Sequence, residues 1–70
     1  MQRISKQQVL HNLETALGEE VGMDGLETLI YGWRKKHHMT SSGLYQRDWM
    51  TYPEVESLST YAGYDLTQNA

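Results

Sequence analysis

Leu26–His38, LETLIYGWRKKHH, is the stretch that decides how this 70-residue chain is read. Leu26, Leu29, Ile30, Trp33 and His37 recur at helical spacing, which lays one apolar stripe along about three turns. Asp24 precedes the stripe and Glu27 follows three residues later, an acid at the N-cap with a capping acid inside the first turn. The spacing predicts a helix over Gly25–His37, entered from a linker over Glu19–Met23. Gly32 sits inside that helix. It costs about 1 kcal/mol against alanine there, and such a glycine either marks a close approach by another element or is simply tolerated.

Towards the N-terminus the signals are stronger. Ser5 can accept from the amide of Gln8 and Gln8 can reach back, while Ile4 and Val9 stand where a hydrophobic staple places its pair. Val9, Leu10, Leu13 and Leu17 then share a face, and Gly18 is a natural left-handed stop, so a helix over Lys6–Leu17 is expected. Met1–Arg3 reads as a short tail.

Beyond the central stretch, Met39–Gly43 is a loop by composition. Leu44–Thr51 is hard to read. As a strand it puts Tyr45, Arg47, Trp49 and Thr51 on one face, which is no clean alternation. As a helix it aligns Tyr45, Trp49 and Tyr52, so a short extra helix around residues 43–51, capped by Ser41 or Ser42, is preferred. Tyr52-Pro53 marks a boundary, because the residue before proline is pushed out of helical geometry. Thr51 and Glu54 are spaced as a capping box, Pro53 suits a first turn, and Val55, Leu58 and Ala62 make the stripe of a helix over Pro53–Ala62 that Gly63 ends. The polar tail reads as frayed over residues 65–70, as do residues 1–3 at the other end.

The expected fold is therefore all-α: one small three-helix domain spanning residues 1–70. Its candidate core is Ile4, Val9, Leu10, Leu13, Leu17, Val21, Leu26, Leu29, Ile30, Trp33, Leu44, Trp49, Val55 and Leu58. A chain of this size buries only about 60% of its unfolded surface, so stability is marginal. With no cysteine, no disulfide can staple it, and a reducing, cytoplasmic setting is the natural expectation. No apolar run exceeds Leu29-Ile30-Tyr31, which leaves no membrane-spanning stretch and no signal-peptide core.

Composition and spacing also narrow the chemistry. His37 and His38 are adjacent and diverge by about 100° on a helix, so they do not share a metal easily. With His11 remote and no cysteine, no zinc-ligand spacing exists, and neither a metal nor a cofactor is expected. His37, Ser41 and Asp48 are triad residue types without a strained nucleophile turn or an oxyanion hole. Glu19-Glu20 lies in a glycine-flanked linker where nothing would bury it to raise a pKa. An enzyme is not expected.

What remains is surface. The net charge of −3 is spread as acidic, basic, acidic, with Arg34, Lys35, Lys36 and Arg47 uninterrupted by any acid over residues 34–47. Cations at a helix C-terminus complement its dipole and need no further role. A second reading makes Arg34, Lys35, Lys36, His37, His38 and Arg47 an anion site for nucleic acid. Four bases on an acidic chain give only weak non-specific binding, and the helix best placed for groove reading, Pro53–Ala62, has two glutamates and no base.

Five tyrosines and two tryptophans supply all the aromatic area, more than so small a domain can bury. Tyr, Trp, Met and Arg are enriched at protein interfaces, and Tyr45, Arg47, Trp49, Met50 and Tyr52 fall within eight residues of chain. The expected function is a small interaction protein, a regulator, adaptor or inhibitor, binding another protein through that segment. Nucleic-acid binding is the alternative, and a homodimer the third reading.

Overall fold

The computed structural model of the chain describes residues 2–37 and 47–68. In chain order these form strand β1 (Arg3–Ser5), helix α1 (Lys6–Leu17), helix α2 (Gly22–Lys36), strand β2 (Trp49–Thr51) and helix α3 (Tyr52–Ala62). The domain is mostly helical but not all-α, because β1 and β2 pair as an antiparallel ribbon with Ile4 opposite Met50. Arg3 thus belongs to a strand and not to a tail. The residues of the expected extra helix that are described from 49 onwards form β2 instead, and Leu44 and Tyr45 lie outside the described residues.

Tertiary contact explains the change. Trp49–Thr51 pairs along β1, and each strand runs straight into the helix that follows it. The ladder extends past both strands: Lys6 N–H donates to the Asp48 carbonyl at 2.8 Å and Tyr52 N–H to the Gln2 carbonyl at 3.0 Å. Side chains alternate across the ribbon, so Ile4 and Met50 point into the core while Arg3, Ser5, Trp49 and Thr51 share the outer face.

The helix starts follow from the caps. Ser5 Oγ accepts from Gln8 N–H at 3.0 Å, as expected, but the Gln8 side chain turns away to donate to Asn12 Oδ1 at 2.9 Å. At α3 the capping box is complete: Thr51 Oγ1 accepts from Glu54 N–H, and Glu54 Oε1 accepts from Thr51 N–H at 2.8 Å. Gly18 and Gly63 end α1 and α3 in the left-handed conformation, with φ of 73° and 83°.

Helix α2 starts earlier than the Asp24 cap predicts, and the cap comes from another helix. Val21 has no side-chain acceptor, so Glu14, in the last turn of α1, supplies one. Its Oε2 accepts from Val21 N–H at 2.8 Å and Gly22 N–H at 3.0 Å. Gly22 makes the approach possible, since its φ of 78° is costly for any residue with a Cβ. Asp24 falls inside the first turn, where the dipole favours it. Glu27 pairs with the buried Lys6 ammonium at 2.8 Å and so ties α2 to the start of α1.

The amides of Gly22 and then Val21 hold the Glu14 carboxyl below its ordinary value of 4.5. A depressed folded pKa adds stability that is present above the unfolded value and is lost as pH falls through the folded one. Urea midpoints measured from neutral pH down to about pH 3 should fall more steeply for the wild type than for Glu14→Gln, which keeps an acceptor oxygen but loses the charge. Identical acid limbs would remove Glu14 as a charged cap.

The core joins both layers. Ile4, Val9, Leu10, Leu13, Leu26, Ile30, Trp33, Met50, Val55, Leu58 and Leu66 are buried together, with Val21, Leu29, Tyr52 and Tyr61 packed against them. Leu17, expected in the core, is exposed at the end of α1, and Trp49 is only half-buried. Leu66, absent from the expected core and placed in a tail read as frayed, is fully buried. Its segment is strapped down: Asn12 Nδ2 donates to the carbonyls of Leu66 and Gln68 at 2.8 Å each, and Leu66 N–H donates to Ser59 Oγ at 2.9 Å. Gly32 is a point of close approach, because a Cβ there would lie 2.6 Å from the Tyr61 hydroxyl of α3.

Candidate functional site

The outer face of the ribbon gathers the unusual side chains. Trp49 stands on it, and two guanidinium groups lie against its indole ring, Arg3 at 3.9 Å and Arg47 at 4.3 Å from the ring centroid. Alternation puts Arg3 and Trp49 on one side of neighbouring strands, and the residue pairing brings them within reach diagonally. Planar guanidinium on an aromatic face is favourable, by about 0.5–1 kcal/mol at exposed sites.

Arg47 is also held by a carboxylate. Its Nη2 lies 3.0 Å from Oε2 and 3.3 Å from Oε1 of Glu54. Burial raises the Glu54 pKa, but the Thr51 amide, the Arg47 guanidinium and the Thr51 hydroxyl outweigh it and keep the carboxyl below its ordinary value. Glu54 therefore does two jobs, capping α3 and fixing Arg47 beside Trp49. Arg3 differs: among the described residues no carboxylate pairs with it, and it is exposed.

The expected contact residues separate on this geometry. Arg47, Trp49 and Tyr52 are partly exposed on or beside the ribbon. Met50, expected on the contact face, is 0% exposed and faces the core opposite Ile4. Tyr45 lies outside the described residues. Arg3, missed by the sequence reading, joins the site. The signal that could have found it is a cation two residues before a helix cap, next to an apolar Ile4 that the core takes.

Among the described residues the basic end of α2 divides between a buried Arg34 and the exposed Lys35, Lys36 and His37. Arg34 is 8% exposed, so little of its side chain is presented in the expected anion patch. Lys35 and Lys36 are exposed, with Lys36 Nζ 5.6 Å from the Tyr61 ring centroid. His37 is exposed and meets Trp33 edge-on at 6.2 Å. Arg47 belongs to the ribbon and is already paired, and His38 lies outside the described residues. Tyr31, on the outer side of α2, is 58% exposed, more than any other tyrosine or tryptophan among the described residues.

A shallow, open depression beside the end of α3 is walled by Glu56, Thr60, Tyr64 and Asp65, and the Asp65 carboxylate is taken by the hydroxyl and amide of Thr67. Among the described residues no three His, Cys, Asp or Glu side chains converge as a metal site, and no helix is long and apolar enough to cross a membrane. No protein-family model, curated protein or solved structure matches the chain.

Proposed function

We propose that this chain is a small non-enzymatic interaction protein, a regulator, adaptor or inhibitor in the cytoplasm, that binds another protein through the outer face of the β1–β2 ribbon. The observation that carries this reading is Trp49, half-buried on the outer face of the ribbon with two guanidinium groups against its ring. Tryptophan and arginine are the residues on which binding energy most often concentrates. A ring already fixed by its neighbours loses little freedom on docking, so more of its contact energy appears as affinity. The complete lack of cysteine supports a reducing compartment.

Affinity purification from the native host tests the reading. A partner retained by the wild type should be absent from a Trp49→Ala bait whose far-ultraviolet circular dichroism is native. Recovery of the same partner by both baits would sink it. Nucleic-acid binding through Lys35, Lys36 and His37 is the second reading, supported by their joint exposure at one helix end. Against it, the turn before α2 carries Glu19 and Glu20 and its first turn Asp24, so the end of a second helix that normally enters the major groove would repel phosphate. If duplex DNA bound with an affinity that falls with salt and vanishes in Lys35→Glu/Lys36→Glu, the second reading would replace the first.

A further inference from the structure

We infer that the outer edge of β1 is where the partner docks, and that the docking segment is an extended, acidic stretch of that protein added to the ribbon as a third strand. This inference rests on the ribbon being the interaction face.

The residue pairing determines which backbone groups are open. Hydrogen-bonded and non-hydrogen-bonded pairs alternate in an antiparallel ladder. The bonds from Lys6 N–H to Asp48 and from Tyr52 N–H to Gln2 identify 6/48 and 2/52 as hydrogen-bonded pairs, so 4/50 is one too. Arg3, Ser5, Trp49 and Thr51 therefore direct their N–H and C=O groups away from the partner strand. The outward amide of Thr51 on β2 is already taken, because Glu54 Oε1 accepts from it at 2.8 Å. The equivalent carboxamide on the β1 side, Gln8, is turned to Asn12. The two strands thus end in similar caps, but only the β2 edge is closed by its capping side chain. Arg3 and Ser5, both exposed, leave the β1 edge accessible.

Charge selects the occupant. An added strand places one of its side chains directly beside Arg3 on the outer face, at the spacing of a cross-strand pair. Arg3 has no carboxylate partner among the described residues, and Arg47 adjoins the same indole. A glutamate or aspartate in the added strand would complete the pair; a lysine or arginine would be repelled. The main chain then supplies affinity and the acidic side chain supplies selectivity.

Amide hydrogen exchange on the intact chain tests this, using a blocked peptide of alternating glutamate and valine and its lysine–valine counterpart. The acidic peptide should slow exchange at Arg3 and Ser5 and leave Thr51 unchanged, while the lysine peptide should do neither. Arg3→Pro removes an outward N–H together with the guanidinium that would pair the acidic side chain, and it spares the ladder bonds of 2/52, 4/50 and 6/48, so it should keep the ribbon and weaken the acidic peptide about tenfold or more. Unchanged exchange at Arg3 and Ser5, or equal protection by both peptides, overturns the proposal. Protection that appears without peptide and grows with protein concentration overturns it in favour of a second copy of the chain. If the acidic peptide fails while Trp49→Ala still releases the host partner, strand addition falls and the ribbon face stands. If Trp49→Ala retains that partner, both fall.

Discussion

Trp33→Ala is expected to unfold most of the population at room temperature, through a loss of about 3–5 kcal/mol. Trp33 is almost fully buried near the C-terminal end of α2, and its indole N–H donates to Ser57 Oγ on α3 at 2.9 Å. Alanine removes the largest ring from the core, leaves a cavity between two helices and strands the Ser57 hydroxyl. A core of this size rarely supplies more than about 3–5 kcal/mol in total, so one such cavity uses nearly all of it. Urea titration followed by circular dichroism checks the result. A midpoint within a few tenths molar of wild type would mean that α2 and α3 are held together by something other than this ring.

Met50→Ala should cost about 2–5 kcal/mol and should act through folding and not through contact with a partner. Met50 is sealed beneath the ribbon opposite Ile4, so its side chain anchors the interaction face to the helices. A volume-conserving Met50→Leu should cost less than about 1.5 kcal/mol and leave partner affinity unchanged. Loss of affinity in a stably folded Met50→Leu variant, measured beside thermal unfolding, would return Met50 to the contact surface.

These two residues also show where sequence reading succeeds and where it stops. Trp33 was legible because it lies on a long helical stripe. The bounds of α1, Lys6–Leu17, were legible because Ser5 and Gly18 are local signals: each acts on amides or carbonyls within four residues. The same holds for Thr51, Glu54 and Gly63 around α3. Met50 was not legible, because a three-residue strand is too short to show a period of two, and its pairing partner lies 46 positions away in sequence. The start of α2 was misplaced for a similar reason: Asp24 and Glu27 have the right local spacing, but Glu14 from α1 makes the cap and Lys6 captures Glu27. Leu66 was invisible as a single apolar residue in a polar tail, since only Asn12 and Ser59 make its burial sensible.

The candidate site divides in the same way. Arg47, Trp49 and Tyr52 were legible from composition alone, because interface-prone residue types cluster there. Arg3 was not, since its role depends on strand pairing. The basic run 34–38 looked like one patch on paper, yet helical rotation leaves Arg34 buried while Lys35 and Lys36 stay out. Charge counted along a chain is not charge presented on a face.

The most direct measurement is the affinity of the purified partner for three forms of the chain, wild type, Trp49→Ala and Lys35→Glu/Lys36→Glu, titrated calorimetrically at one salt concentration with unfolding temperatures recorded alongside. A ribbon-centred interface predicts a loss of about 30-fold or more for Trp49→Ala, the size of a hot-spot truncation, and a change within about threefold for the lysine pair. Full affinity in a folded Trp49→Ala variant, with binding lost in the lysine pair instead, would contradict the account and move the site to the end of α2.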